Sequence, residues 1–163
     1  MEVAATRENG PQNLSGLVGD IMRHDAGFTL VEMMIVVVVI GILAAVAIPN
    51  FVAMQDRARE AGTKANMHTF QLAAEDYAVI NDGAYATDAS GVVPLVPGGD
   101  GNFRNSFTGS GGVGVAWENR SSMGASASTI PGITSYSDSN AYTYNVKGFG
   151  KATGIVIVLT SGR

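Results

Sequence analysis

Between Phe28 and Ile48 the chain reads FTLVEMMIVVVVIGILAAVAI, and Glu32 is its one ionisable side chain. An apolar run of about 20 residues is long enough to cross the ~30 Å hydrocarbon core as a helix. In lipid a helix satisfies its own backbone groups, which a lone strand cannot do. The β-branched stretch Val36–Ile40 would suit a buried strand in water, but strands seldom exceed about ten residues. The run therefore reads as a helix that lies in a membrane or among other apolar helices. Ala45-Val46-Ala47 has the small-x-small form of a signal-peptidase site. Against that reading, the apolar run exceeds a usual h-region and the segment before it is long and polar.

The rest of the 163-residue chain is of another kind. Charged residues make up 15% of the whole, below the ~25% of an ordinary soluble domain, and the deficit is concentrated in the apolar run. Net charge is −4 with no basic cluster, so no nucleic-acid partner is expected. The absence of cysteine excludes disulfides, thiolate metal sites and a Cys nucleophile. The only histidines are His24 and His68, and the acids Asp82, Asp88, Asp100 and Asp138 do not follow a calcium-loop spacing. No metal and no cofactor is expected. The Gly clusters at 98–101 and 109–114 lack the Lys of a phosphate loop, and no Ser-His-Asp order is plausible. The chain is not expected to be an enzyme.

Four segments emerge. Residues 1–27 are polar, carry Gly10, Pro11, Gly16 and Gly19, and show no sustained period, so they read as a leader. Residues 28–48 are the apolar helix. Over 49–82, Phe51, Met54, Ala58, Ala61, Ala65, Met67, Phe70, Ala74 and Tyr77 recur at steps of three and four, with one slip near Ala65. That spacing predicts an amphipathic helix whose apolar stripe covers its own domain. The aromatics Phe51, Phe70 and Tyr77 are read as core, and His68 as a surface or interface residue. Gly41 and Pro49 are expected to soften or kink the helix. Asn81-Asp82-Gly83 should end it.

Residues 83–163 hold 15 of the 21 glycines and read as β-rich. Asn140–Val146 alternates, with Tyr142, Tyr144 and Val146 on one side, and Gly154–Thr160 is a second strand. Lys147–Lys151 is expected to be the hairpin loop between them, and Val113–Trp117 a weaker strand. The expected fold is α+β: a long N-terminal helix, transmembrane in its first half, with a small antiparallel sheet packed on its C-terminal half.

The string Gly27-Phe28-Thr29-Leu30-Val31-Glu32, set immediately before the apolar run, resembles the processing site of type IV prepilins and of type II secretion pseudopilins. The resemblance implies that a membrane-embedded prepilin peptidase cuts between Gly27 and Phe28 and that the new amine of Phe28 is methylated. Methylation keeps that amine positive. It further implies that Glu32, costly in lipid, pairs with the amino terminus of a neighbouring subunit and sets axial register. The leader departs from the pattern: Arg23-His24-Asp25-Ala26 precedes the cut where basic residues are usual, and the family's frequent C-terminal disulfide loop is missing. Asn81-Asp82-Gly83-Ala84-Tyr85 is similar to a segment shared by both groups.

The resemblance thus implies a structural subunit of a homo-oligomeric type IV pilus filament, serving adhesion, motility or DNA uptake. The subunit would be held as a single-pass protein in inner-membrane lipid, delivered to an assembly platform there, and then built into a surface pilus. The alternatives are a pseudopilin of a type II secretion system, forming a periplasmic pseudopilus, and a membrane-tethered binding domain that does not polymerise.

Overall fold

A computed structural model describes residues 27–161. Residues 1–26, the greater part of the expected leader and including Arg23–Ala26, lie outside the described residues.

The first compact unit ends at Ala45 and the second begins at Val46. Both draw on the helix α1, Leu30–Ile80, which includes Pro49. In the first unit every described residue is exposed except Ala44, which is half-exposed. At Pro49, which has no N–H to give, the helix gains a side-chain bond instead: Asn50 Nδ2 donates to the Val46 carbonyl at 3.1 Å. The end of α1 is closed as a Schellman turn, with Gly83 N–H donating to the Ala78 carbonyl at 2.8 Å. Both Asp82 (φ 53°) and Gly83 (φ 85°) adopt left-handed backbone there.

The second unit places the C-terminal half of α1 against a four-stranded sheet. The strands are β1 (Trp117–Asn119), β2 (Thr134–Ser139), β3 (Thr143–Gly148) and β4 (Leu159–Thr160), in the spatial order β1-β2-β3-β4. The β2–β3 and β3–β4 pairs are antiparallel. The edge pair β1–β2 is parallel, with Trp117 opposite Thr134, so the expected antiparallel sheet carries one parallel edge. The chain must cross over through residues 120–133 to return in the same direction.

The core lies between the two layers. On α1 the buried residues are Thr63, Met67, Phe70, Ala73, Ala74 and Ala78. The Phe70 ring meets Phe103 at 5.5 Å and Tyr136 at 5.9 Å between centroids. Tyr136 in turn stacks on Tyr144 at 5.6 Å. A Cβ on Gly148 would come 2.8 Å from Met67 Sδ, so glycine is what lets β3 approach the helix here. A short helix, α2 (Ala89–Val92), is capped by Asp88, which accepts from the N–H groups of Ser90 and Gly91.

The expected stripe is only half right. Met67, Phe70 and Ala74 are core and Tyr77 is half-buried, but Phe51 and Met54 are 67% exposed, and Ala58, Ala61 and Ala65 are exposed too. Steps of three and four do not say which face a residue occupies. The helix carries two apolar faces, and only the one through Thr63, Met67, Phe70 and Ala74 is covered by the sheet.

The strand boundaries differ as well. Asn140 and Ala141 have positive φ (54° and 59°) and form the β2–β3 turn rather than part of a strand, leaving Tyr142 exposed. The predicted loop Lys147–Lys151 is largely strand and turn: β3 runs to Gly148, and the chain reverses where Gly150 N–H donates to the Thr153 carbonyl at 2.8 Å. The predicted strand Gly154–Thr160 is interrupted. Val146 pairs with Leu159, whereas Phe149 pairs with Gly154, and this register change extrudes Val156, Ile157 and Val158 as a bulge. Val113 contributes a single bridge to Trp117.

Strand β2 carries no hydropathy signal, because its sequence is TSYSDS. It is nonetheless buried on both faces. Tyr136 faces α1, while Ser135 and Ser137 lie opposite Lys147 and Asn145. That second face is roofed by the 122–125 loop. Lys147 Nζ donates to the carbonyls of Met123 and Ala125, both at 2.9 Å, and the Arg120 guanidinium donates to the carbonyls of Ser122, Met123, Ala125 and Asn145.

Candidate functional site

The motif residues lie at the start of α1. Thr29 is the residue before the helix and Glu32 is its third helical position. Glu32 N–H donates to Thr29 Oγ1 at 3.1 Å, and Thr29 N–H donates to Glu32 Oε2 at 2.8 Å. This reciprocal pair is a capping box, which satisfies two N–H groups that a helix start leaves open. The Thr29 hydroxyl also donates to Oε2, at 2.7 Å. Reading the sequence for membrane and cleavage signals passed over this, although Thr-x-x-Glu before an apolar run is a direct signal for it.

The box orients the carboxylate. Oε2 accepts both Thr29 bonds, while Oε1 accepts none among the described residues. One oxygen therefore remains to meet an outside cation. Gly27 and Phe28 precede the cap, are exposed, and carry no helical bonds of their own. An uncovered backbone outside the helix is open to a protease cleft, and Gly27 adds no side chain to obstruct it.

Behind the cap, α1 presents apolar side chains to the outside all round. Leu30, Val31, Met34 and Ile35 are each more than half exposed, as is Phe28 before the cap. Among the described residues, α1 is the one helix long and apolar enough to cross a membrane. Gly41 and Pro49 both fall within its bounds.

Residues 22–48 match the family model described as the prokaryotic N-terminal methylation motif. The chain is 49% identical over 54 residues to the type IV major pilin protein PilA of Myxococcus xanthus, an alignment covering 33% of this chain and 24% of that one. It is 36% identical over 80 residues to the type II secretion system core protein G of Pseudomonas aeruginosa, covering 49% and 56%. Its N-terminal segment is thus similar to those of a type IV major pilin and a type II secretion core protein. A third relative, the competence protein ComGC of Halalkalibacterium halodurans, is 41% identical over 60 residues, covering 37% of this chain and 59% of that protein. The chain thus spans from a quarter to about three fifths of the length of these relatives. No solved structure matches it.

The loop acids are occupied by local structure. Asp88 caps α2, and its hydrogen bond from the Ser90 hydroxyl holds its carboxyl below the usual carboxylate range. Asp100 accepts from Trp117 Nε1 at 2.8 Å, and Asp138 accepts from Ala141 N–H at 3.3 Å. Asp82 sits in the left-handed turn that ends α1. His68 is exposed on α1.

Proposed function

We propose that the chain is a structural subunit of a type IV pilus filament, assembled after removal of the leader. The observation that carries this reading is the uncovered apolar run behind the methylation motif. Among the described residues nothing in the first unit shields it, and exposing such a surface to water costs about 25 cal/mol per Å². Lipid covers it first, and the same run of other copies covers it next.

In this reading the cut falls between Gly27 and Phe28, and the methylated amine of Phe28 is the cation that the second Glu32 oxygen meets in a neighbouring copy. A carboxylate within a membrane helix is costly, and pairing recovers part of that cost on entering the filament. Gly41 and Pro49 are the positions where the helix yields during assembly. Residues 1–27 are the leader, 28–48 the membrane and filament-core segment, 49–82 the helix that supports the head, and 83–163 the head. The partners are a prepilin peptidase, an inner-membrane assembly platform and further copies of the chain. The subunit rests in the inner membrane and then in the surface pilus.

A second reading, a type II secretion pseudopilin in a periplasmic pseudopilus, is favoured by one observation: the alignment with a secretion core protein is longer than that with a major pilin. Electron microscopy with an antibody to residues 83–163, joined to N-terminal sequencing of the cell-bound protein, tests both. Long labelled filaments whose subunit begins with methylated Phe28 are expected. Bare cells with a secretion defect in the deletion strain would move the assignment to the pseudopilin. An N-terminus at Ile48 would sink both readings.

A further inference from the structure

The second unit carries a pocket of about 250 Å³ lined by Asp88, Ser90, Val113, Trp117 and Asn119. The cap of α2, the loop before β1 and β1 itself supply these residues. The volume lies just below the ~300–1,000 Å³ of sites for drug-sized ligands, so the pocket suits a single small ring.

One side of the pocket is apolar. Val113 is exposed, and its backbone bridges to Trp117. Trp117 is largely buried, and its Nε1 donates to Asp100 Oδ1 at 2.8 Å, which fixes the plane of the ring. The other side is polar, and the fold uses only half of each polar group. Asp88 Oδ1 accepts from the N–H groups of Ser90 and Gly91, at 2.8 and 3.2 Å, and from the Ser90 hydroxyl. Asp88 Oδ2 accepts nothing among the described residues. Asn119 Oδ1 accepts from Ala89 N–H at 3.0 Å, whereas its Nδ2 donates to nothing among the described residues. Each side chain is thus held in place by one atom and keeps the other for a ligand.

These groups narrow the class of ligand. No Lys or Arg lines the pocket, so the Asp88 carboxylate disfavours an anion. A wholly apolar ligand would strip water from Asp88 and Asn119 without replacing its hydrogen bonds. A lone carboxylate falls short of the six or more oxygens that calcium takes. A sugar ring answers all of them: its hydroxyls both donate and accept, and its C–H face is apolar. A hydroxyl that donates to a carboxylate makes one of the stronger kinds of hydrogen bond.

We propose that this pocket binds one neutral sugar ring, with one hydroxyl donating to Asp88 Oδ2, a neighbouring hydroxyl accepting from Asn119 Nδ2, and the C–H face of the ring set against Val113 and Trp117. The inference needs only the second unit and is independent of the filament reading.

Trp117 is the only tryptophan of the chain, so its emission reports on this pocket. The full-length chain, in micelles of a detergent without a sugar headgroup, is titrated with the methyl glycosides of galactose, mannose and glucose. Sorbitol and calcium chloride are titrated alongside. A saturable emission change with a millimolar midpoint is expected for at least one glycoside. Asp88→Asn keeps a capping oxygen, and Asn119→Asp keeps the acceptor for Ala89 N–H. Each should raise that midpoint by about tenfold or more while the thermal midpoint holds. Val113→Asp, at an exposed position, should weaken binding likewise and serves if either polar variant melts early. Absence of a saturable response to all three glycosides overturns the proposal. So does an equal response to sorbitol, a response to calcium chloride alone, or folded variants that bind like the parent.

Discussion

The Tyr144 hydroxyl donates to Glu75 Oε1 at 2.7 Å, and Tyr85 donates to the other oxygen of the same carboxylate at 3.0 Å. One acid on α1 thereby ties down β3 and the segment that follows the helix. The rings of Tyr85 and Tyr144 also meet edge to face at 4.7 Å. The α1–sheet interface is thus an apolar core bounded on one side by a carboxylate with two phenol donors.

This arrangement carries a pH signature. Burial, reinforced by Glu75, pushes the Tyr144 phenol well above its ordinary value of 10.0, and burial and the Asp138 charge do the same to Tyr136. A phenol is neutral below its pKa, so a raised value in the folded state favours folding fully below pH 10. That contribution is lost as pH rises through 10 towards the folded values. The full chain in detergent micelles should hold its thermal midpoint to about pH 10 and then lose it. Tyr144→Phe should lower stability at pH 7 by the ~1.5–3 kcal/mol of a hydrogen bond to a charged group, seen as a lower thermal midpoint, and it should flatten the alkaline fall. An alkaline limb unchanged in the variant would refute this.

Asn105 is 1% exposed and fully bonded. Its Nδ2 donates to the carbonyls of Val115 and Pro131, at 2.7 and 2.8 Å, and its Oδ1 accepts from the N–H groups of Phe107 and Thr108. Asn105→Asp would set a carboxylate oxygen against two carbonyls. The expected loss is on the order of 3 kcal/mol or more, partly recovered at low pH where a protonated carboxyl restores one donor. Thermal melts at pH 4 and pH 7 compare the two states.

Ala141 adopts φ 59° in the β2–β3 turn, with Asn140 at 54° before it. Left-handed backbone costs a residue with a Cβ about 1–2 kcal/mol, while glycine adds an entropic cost of roughly 0.5–1. Ala141→Gly should therefore stabilise the second unit by about 0.5–1 kcal/mol, seen as a higher thermal midpoint. A lower midpoint would show that the turn is held by something other than local sterics.

Thr29→Val removes the capping box while keeping the shape of the side chain. Loss of such a cap costs ~1 kcal/mol, which should speed amide exchange at Leu30, Val31 and Glu32 about fivefold in the micelle-bound chain. Equal exchange in the two proteins would mean that Glu32 caps the helix without Thr29.

Much of this protein is written locally. The run from Phe28 to Ile48, the Thr29–Glu32 box and the stop at Asn81–Gly83 each depend on residues a few positions apart, so the sequence by itself determined the helix, its cap and its end. Tertiary structure alone decided which of two apolar faces of α1 meets the sheet, because both have the same periodicity. It also decided that the serine-rich β2 is central, since its burial comes from Tyr136 on one side and a loop held by Arg120 and Lys147 on the other. The register change that extrudes Val156–Val158 belongs to the same class. Local residues specify backbone preference, whereas the choice between equivalent faces and registers is made only when distant segments compete for the same core.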